Sequence, residues 1–216
     1  MEIFSVSNVL FSIAGQGVSL IELISVIAGL SCVYLATRAK VANFWVGYAY
    51  NILLFILFYQ KGLYSSMLVQ PISLAINFFG HYRWTHPKTS EQNSKKQLKI
   101  SLLSNRKRLY FILQILVLGA LWGTALTYLD NLWPSVFDEA RTPYLDATIT
   151  FTILTAQYLS AQKKLECWGA WFIVNTTNIT LYILAGLVFM PLVSAGYLIL
   201  AFFGFSMWRK EWKTSN

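Results

Sequence analysis

Two tryptophans and two asparagines share one face of a single apolar segment in this chain of 216 residues. Trp168, Trp171, Asn175 and Asn178 are spaced three, four and three residues apart, which places all four on one stripe of an α-helix. Indole faces attract flat cations, and amides both donate and accept hydrogen bonds. We therefore expect this stripe to bind a ligand, although helix packing, with Trp168 as a membrane-interface anchor, gives the same pattern.

Further polar side chains lie inside other apolar segments. Asp146, Thr150 and Gln157 occupy positions i, i+4 and i+11, which is again one helix face. Gln70 and Asn77 are seven residues apart and also share a face. Polar groups at membrane depth cost free energy unless they are partnered, so we expect these side chains to line an interior site. Asp146 lies near a segment end, where a solvated helix-start residue explains it equally well.

No set of residues typical of catalysis is present. The sequence contains no Walker motif, no H-E-x-x-H motif, no Ser/His/Asp set at membrane depth and no paired carboxylates. Cys32 and Cys167 are too far apart in sequence to form a metal or redox motif. We therefore expect no catalytic residues, no metal and no cofactor, and the sequence favours a binding or transport protein over an enzyme.

The composition places these residues in a membrane protein. Hydrophobic residues make up 56% of the chain and charged residues only 12%, against about 25% in soluble proteins. The mean hydropathy is +0.52. These values exclude a disordered chain, a disulfide scaffold and an ordinary cytosolic enzyme. The net charge of +8 could indicate nucleic acid, but the basic residues lie between apolar runs, so we expect a lipid bilayer as partner and no nucleic acid.

Seven apolar segments are candidate transmembrane helices, each close to the length of about 20 residues that a membrane requires. They cover residues 18–37, 42–59, 63–84, 109–129, 145–161, 168–186 and 187–208. Residues 1–17 are predicted to be an interfacial segment, with a helix over 3–13 and no cleavable signal peptide. Residues 85–108 form a basic loop, and residues 209–216 form a tail.

The distribution of basic residues predicts the orientation. With residues 85–108 in the cytoplasm, only Lys61 and Arg141 of the 17 basic residues lie outside. The other fifteen are Arg38, Lys40, Arg83, Lys88, Lys95, Lys96, Lys99, Arg106, Lys107, Arg108, Lys163, Lys164, Arg209, Lys210 and Lys213. This positive-inside asymmetry predicts an external N-terminus and a cytoplasmic C-terminus.

An internal repeat relates the two halves of the chain. A shift of 124 residues aligns 30–84 with 154–208. Asn51 then falls on Asn175, Gly62-Leu63 on Gly186-Leu187, Phe78-Phe79-Gly80 on Phe202-Phe203-Gly204, and Trp84 on Trp208. Three helices per repeat and one joining helix give both repeats the same direction. We predict an all-α membrane protein with SWEET-like 3+1+3 parallel repeats and a site at the repeat interface.

The two repeats differ where a ligand is expected. Phe44 and Gly47 stand where the second repeat has Trp168 and Trp171. A small residue opposite a large one predicts a single asymmetric site rather than two equivalent sites. The acidic residues in or near the spans, Glu22 and Asp146, lie toward the outside, so we expect facilitated diffusion rather than ion coupling.

At these residues the sequence resembles the PnuC family of bacterial vitamin transporters over nearly its whole length. The resemblance is carried by Trp168-x-x-Trp171-x-x-x-Asn175, Phe79-Gly80-x-x-x-Trp84, Gly204-x-x-x-Trp208, and the opening Phe4-Ser5-Val6 followed by Asn8. It implies uptake of nicotinamide riboside through a bacterial inner membrane for NAD synthesis, a homotrimer, and trapping of the substrate by a cytoplasmic kinase. It assigns Trp168, Trp171 and Asn175 to the substrate-binding motif, with Gln70, Asn77, Asn51, Thr150 and Gln157 as compatible polar positions.

Several alternatives stay open at this point. The family has sister branches for thiamine, riboflavin and deoxynucleosides, and thiamine is also a flat cation that indole faces attract. A non-transporting membrane scaffold and a membrane-embedded enzyme are the alternatives from other classes. Buried amides at a repeat interface argue against the scaffold, which has no need of them.

Overall fold

The computed structural model describes residues 5–13, 15–132 and 142–215, which form seven α-helices and one short β-hairpin. The helices are α1 (Leu20–Thr37), α2 (Ala42–Gln60), α3 (Tyr64–Thr85), α4 (Asn105–Leu132), α5 (Pro143–Ala161), α6 (Cys167–Leu184) and α7 (Phe189–Ser215). Each predicted span coincides with one of these helices, so the prediction of seven helices is confirmed. We refer to α1–α3 as the first triplet and to α5–α7 as the second triplet.

Four of the described helices, α1, α2, α4 and α7, are long and apolar enough to cross a membrane on composition alone. The remaining three, α3, α5 and α6, are 22, 19 and 18 residues long. They are the helices that carry most of the amides and hydroxyls predicted to line a site. Such side chains are tolerated at membrane depth where they face protein or a cavity rather than lipid.

The N-terminal segment differs from the prediction. Val9–Ile13 (β1) pairs antiparallel with Gln16–Ser19 (β2), so the helix predicted over residues 3–13 is wrong for the part that is described. An apolar run of this length does not by itself distinguish a strand from a helix. Gly15 has a φ of 79°, and this left-handed backbone reverses the chain between β1 and β2. The segment therefore forms a hairpin and not a helix. The backbone N–H of Val6 donates to Oε1 of Gln60, 2.8 Å away, which ties this segment to the end of α2.

The prediction that residues 209–216 form a tail after the last helix also needs correction. In the structure α7 continues to Ser215. Residues 209–215 contain no glycine or proline, so no local signal ends the helix after Trp208. Trp212 is partly buried against the hydrophobic core of the bundle, which gives the extension tertiary support. Likewise α4 begins at Asn105, so the last four residues of the predicted basic loop are helical.

The helices pack in a closed circuit. Neighbours in sequence pack together within each triplet, α1 packs against α7, and α3 packs against α5. The joining helix α4 packs against α5. A Cβ atom at Gly119 would lie 2.7 Å from Oγ1 of Thr148, and one at Gly123 would lie 2.6 Å from Cδ1 of Tyr144. The Gly119-x-x-x-Gly123 spacing therefore serves the contact between α4 and α5 within the chain.

The turns of the two triplets match at a separation of 124 residues. Ala39 and Lys163, which follow α1 and α5, both have φ of 50°. Gly62 and Gly186, which follow α2 and α6, both have φ of 71°. The N–H of Gly62 bonds to the carbonyl of Tyr59, and the N–H of Gly186 bonds to that of Ile183. A left-handed residue after each helix ends it at the same point, and glycine adopts this conformation without strain.

Reciprocal tryptophan hydrogen bonds join the triplets at one end of the bundle, where α1, α3, α5 and α7 finish. We call this the basic end. Nε1 of Trp84 in α3 donates to the carbonyls of Ser160 and Ala161 at the end of α5, at 3.3 and 3.1 Å. Nε1 of Trp208 in α7 donates to the carbonyl of Ala36 at the end of α1, at 3.1 Å. Ser160 and Ala36 are themselves 124 residues apart, so each triplet holds the other through equivalent atoms.

A hydrophobic cluster fills the basic end around these tryptophans. Its buried members come from α2, α3, the loop over residues 86–104, α5, the turn after α5, α6 and α7, and include Leu98, Ile100, Leu103, Leu159, Leu165 and Cys167. Lys163 is 2% exposed, and its Nζ lies 4.5 Å from the ring centroid of Trp84. Burial lowers the pKa of this ammonium. The basic end is therefore closed by packed side chains.

Candidate functional site

The aromatic stripe of α6 begins inside the closed cluster. Trp168 is 2% exposed, and its ring stands edge-on to that of Trp208, with 5.3 Å between centroids. Gly204 of α7 lies directly against the same ring, because a Cβ atom there would overlap the outer carbons of the indole. The ring of Trp168 is thus covered by protein in this conformation. Its Nε1, however, is buried with no hydrogen-bond partner in the described chain.

Trp171 and Asn175 continue the stripe toward the middle of α6. Trp171 is half-buried, and Asn175 is buried. Nδ2 of Asn175 donates to the carbonyl of Trp171, 2.8 Å away. This bond holds the amide against its own helix and leaves its oxygen able to accept a bond from a ligand. Asn178, one turn further along, is half-buried.

The first triplet repeats this arrangement with different side chains. Nδ2 of Asn51 donates to the carbonyl of Gly47 at 2.9 Å, which is the equivalent of the bond between Asn175 and Trp171. A Cβ atom at Gly47 would lie only 2.7 Å from Nδ2 of Asn77. The second triplet has Trp171 in place of Gly47 and Ala201 in place of Asn77. In the first triplet the larger residue of this pair is therefore on the third helix, and in the second triplet it is on the second helix.

Phe44 takes the position of Trp168 in the first triplet. It is 3% exposed, and a Cβ atom at Gly80 would lie 2.6 Å from its ring. Its ring stacks on that of His81 at 5.6 Å and meets Trp84 edge-on at 5.0 Å. Each triplet therefore packs an aromatic ring of its second helix onto a glycine of its third helix.

The polar side chains predicted on α5 and α3 have different surroundings. Oε1 of Gln157 is buried without a hydrogen-bond partner among the described residues, so this atom is free to accept from a ligand. Oγ1 of Thr150 donates to the carbonyl of Asp146 within α5, at 2.9 Å. Asp146 is exposed, as expected of a helix-start residue. Gln70 is buried, and its Nε2 donates to the carbonyl of Ser66 at 3.1 Å.

Three interior tyrosines were not predicted from the sequence. Tyr197 of α7 directs its hydroxyl at Gly29 of α1, where any Cβ atom would collide with it, and the ring of Tyr50 from α2 lies 3.0 Å from the same point. Tyr182 of α6 lies within electrostatic range of Tyr50. Phenolic hydroxyls both donate and accept hydrogen bonds, so these residues add polar groups to the interior. The sequence signal that could have indicated a close approach of these tyrosines is Gly29, a glycine in the middle of an apolar span.

Comparisons with known proteins relate the chain to one family. The family model described as nicotinamide mononucleotide transporter matches residues 19–210. The nicotinamide riboside transporter PnuC of Escherichia coli strain K12 is 31% identical, over 96% of this chain and 94% of its own length. The riboflavin/roseoflavin transporter RibM of Streptomyces davaonensis is 24% identical, over 87% of this chain and 83% of its own length.

A solved structure shares the fold. The crystal structure of the vitamin B3 transporter PnuC matches 91% of this chain and 83% of its own chain, with a TM-score of 0.67 and 22% identity. At this identity the match concerns the helical architecture.

Proposed function

The chain belongs to the PnuC family of transporters, and from this premise we propose that it carries nicotinamide riboside across a bacterial inner membrane by facilitated diffusion. The observation that carries the proposal is the similarity, over nearly the full length of both chains, to a nicotinamide riboside transporter. Membership of a transporter family favours transport over the scaffold and enzyme alternatives. Uptake of this substrate would supply NAD synthesis.

The transport cycle is proposed to use two triplets related by a pseudo-two-fold axis along the membrane normal and joined by α4, as in the SWEET plan. The matched turns after α1 and α5 and after α2 and α6 support this organisation. So do the reciprocal bonds of Trp84 and Trp208. Rocking of one triplet against the other would open the site alternately to each side.

The substrate is proposed to bind between the triplets, with its pyridinium ring on the face of Trp171. A cation on an indole face gains about 2 kcal/mol when it is desolvated. The amides of Asn51 and Asn175 are held in place by their bonds to backbone carbonyls, so they are preorganised for the ribose hydroxyls and the carboxamide. Asn77, Asn178, Thr150, Gln70 and the tyrosines Tyr50 and Tyr197 complete the proposed interior.

Two unpartnered buried atoms support this location. Oε1 of Gln157 is an acceptor and Nε1 of Trp168 is a donor, and each costs free energy while it has no partner. The carboxamide of nicotinamide contains both a donor and an acceptor. We propose that Trp168 contributes its Nε1 to the site, because its ring is covered by Trp208 and Gly204.

Release into the cytoplasm is proposed to require opening of the basic end, where the hydrophobic cluster and the bonds of Trp84 and Trp208 hold the triplets together. The N-terminus is proposed to lie outside and the C-terminus in the cytoplasm, because that orientation places the basic end inside. A cytoplasmic kinase would trap the substrate by phosphorylation, and the transporter is proposed to act as a homotrimer.

Facilitated diffusion is preferred to ion coupling because the acidic side chains of α1 and α5 have other roles. Glu22 forms an ion pair with Lys61 and caps α1 through the N–H and hydroxyl of Ser19. Asp146 is exposed at the start of α5, where it can raise the local concentration of a cationic substrate.

Riboflavin is the second candidate substrate, because a riboflavin transporter is among the relatives. Its ring system is larger than nicotinamide and carries no fixed positive charge, so the cation–π argument for an indole face does not apply to it. Thiamine, a flat cation, is the third candidate and rests on the same cation–π argument as nicotinamide riboside.

Uptake by proteoliposomes tests the proposal. Purified protein is reconstituted, and the uptake of labelled nicotinamide riboside, riboflavin and thiamine is measured with and without proton and sodium gradients, against empty liposomes. We expect saturable uptake of nicotinamide riboside that equilibrates and does not respond to the gradients. Saturable uptake of riboflavin or thiamine without uptake of the riboside contradicts the substrate, and accumulation driven by a gradient contradicts the mechanism.

A further inference from the structure

A cavity of about 460 Å³ opens at the basic end, beside the contact between α3 and α5. It lies between the end of α3, the loop over residues 86–104, the first turns of α4, and the end of α5 with the turn that follows it. Four basic side chains line it, namely Arg83, Lys99, Lys107 and Lys164. Tyr110 and Tyr158 form part of its wall. We call this cavity the basic pocket, and no step of the proposed transport cycle uses it.

The positive charge of the basic pocket is only partly balanced. Arg83 donates two hydrogen bonds to the carboxylate of Glu91, at 2.9 and 3.0 Å, and the charges of these two side chains neutralise each other. Lys164 donates to Oγ of Ser101, 2.6 Å away, and this hydroxyl carries no charge. Within the described residues, Lys99 and Lys107 form no ion pair. Three lysines therefore face one cavity without forming an ion pair among the described residues, and the carboxylate of Glu91, which also lines it, is bonded to Arg83.

The electrostatics of Lys164 agree with this surplus of charge. Burial lowers the pKa of its ammonium, and the nearby charges of Lys107 and Arg83 lower the pKa further, whereas the carboxylates of Glu166 and Glu91 partly offset these effects. Two cations held close together raise each other's free energy, and an anion between them relieves that cost. The pocket is therefore suited to a ligand with at least one negative charge.

The loop that forms one wall is built into the protein. Leu98 and Ile100 are buried in the hydrophobic cluster, and Lys99 and Ser101, which alternate with them, line the pocket. The N–H of Ser101 donates to the carbonyl of Lys163, and the carbonyl of Ser101 accepts from the N–H of Leu165, both at 3.1 Å. These bonds fix this wall of the pocket to the turn after α5.

An apolar groove leads from the pocket along α4. This groove has a volume of about 410 Å³ and is lined by Tyr110, Leu113, Gln114, Val117 and Leu118. Tyr110 lines both the groove and the basic pocket. Leu113 and Val117 are 51% and 54% exposed, on a helix that is apolar enough to span the membrane. The groove therefore faces lipid, and the pocket lies at its mouth.

We propose that the basic pocket and the groove together bind one anionic phospholipid. The phosphate lies among Lys99, Lys107 and Lys164, and one acyl chain follows the groove along α4. Basic pockets between transmembrane helices at the cytoplasmic surface recognise such headgroups. A soluble phosphate compound shares the headgroup chemistry but leaves the groove empty, and for this reason the structure favours the lipid.

Native mass spectrometry of delipidated protein tests the proposal. The protein is titrated with phosphatidylglycerol or phosphatidylcholine, and the lipid-bound fraction gives the affinity. The pocket variant Lys99→Gln/Lys107→Gln/Lys164→Gln is compared with Lys88→Gln/Lys95→Gln/Lys96→Gln, which removes three exposed charges from the same loop outside the pocket. Because Lys164 also holds Ser101, the double variant Lys99→Gln/Lys107→Gln is measured as well, and thermal unfolding checks that each variant is folded.

We expect the wild type to prefer phosphatidylglycerol and the pocket variant to bind it about a hundredfold more weakly, with a smaller loss in the double variant and little in the loop control. A large excess of glycerol 3-phosphate should leave the lipid bound. Equal binding of the two lipids, or equal losses in the pocket variant and the loop control, would overturn the proposal. Displacement by glycerol 3-phosphate would also overturn it, because the site would then take a soluble phosphate.

Discussion

The two triplets are alike at the basic end and different near the middle of their second helices. At the basic end, Trp84 and Trp208 make equivalent bonds to equivalent carbonyls of the opposite triplet. In the middle, Asn51 and Asn175 make the same bond to their own helices. One turn before these asparagines the likeness stops, because α2 has Gly47 and α6 has Trp171.

In the proposed transport cycle, the similar end opens and closes the protein and the dissimilar middle binds the substrate. The proposed rocking of one triplet against the other is consistent with similar contacts where they meet, and Trp84 and Trp208 both donate to the end of a helix in the opposite triplet. A substrate with one ring and one sugar has no symmetry, so a site that recognises it gains from unequal walls. The first triplet has Gly47 and Asn77 at this level, and the second triplet has Trp171 and Ala201 at the equivalent positions. One side of the proposed site is therefore an amide wall, formed by the first triplet, and the other is an aromatic wall, formed by the second.

The largest effect is expected from making the first triplet resemble the second. In Gly47→Trp the indole must displace the amide of Asn77, which already lies within 2.7 Å of a Cβ atom at this position. We expect uptake of nicotinamide riboside to fall at least roughly tenfold, because overpacking a filled site forces its neighbours out of position. Uptake by proteoliposomes measures the effect.

Gly169→Trp is the matched control for this change. Gly169 is an exposed residue of α6 with no atom within 4 Å of an added Cβ atom, so a side chain can leave the helix there without a clash, and we expect uptake to be unchanged. Normal uptake in Gly47→Trp would show that the position does not border the site. Equal loss in both variants would point to a general intolerance of tryptophan on these helices.

A smaller and symmetric effect is expected at the basic end. Trp84→Phe and Trp208→Phe each remove the bonds of one indole N–H and keep most of the packing. Each should lower the free energy of unfolding by about 1 kcal/mol, measured by denaturant titration in detergent. Trp45→Phe is the control, because Trp45 is 64% exposed. If only one of the two variants were destabilised, the equivalence of the triplets at this end would be refuted.

The smallest effect is expected from a contact that only the first triplet has. Arg83, whose equivalent in the second triplet is Met207, holds the carboxylate of Glu91 and lowers its pKa below 4.5. Because the pKa is lowered in the folded protein, this bond stabilises the loop above pH 4.5, and the stabilisation is lost as the pH falls through the lowered pKa. Both side chains are partly exposed, so the effect is modest.

Thermal unfolding of the wild type and of Glu91→Gln between pH 7 and about pH 3 measures this contribution. We expect the wild type to be slightly more stable at pH 7 and the two proteins to converge at the acidic end. A constant difference over the whole range would mean that the carboxylate charge is not the cause.

The helices were predictable because each carries an apolar run of membrane length, and the repeat was visible because glycines and tryptophans recur at one offset. The hairpin over Val9–Ile13 and Gln16–Ser19 was not, since a short apolar run fits a strand or a helix equally well. The extension of α7 was missed because the predicted span was ended where the sequence becomes polar, after Trp208. A helix can continue through polar residues outside the membrane.

The candidate site was only partly predictable. The stripe on α6 follows from spacing, but spacing cannot tell which neighbours cover Trp168, and Gly204 lies 36 residues away in sequence. Tyr197 was hidden among the 12 tyrosines of the chain, most of which look like interface anchors. Only the approach of α7 to Gly29 distinguishes it. Contacts between distant segments depend on packing, which a local pattern does not contain.

Calorimetric titration of purified protein with nicotinamide riboside tests the central claim most directly, because it gives both affinity and stoichiometry. We expect one molecule bound per chain, about thirtyfold weaker binding in Trp171→Ala, and unchanged binding in the first-triplet control Trp45→Ala. Two molecules per chain, or wild-type affinity in Trp171→Ala, would contradict a single site whose aromatic wall belongs to the second triplet.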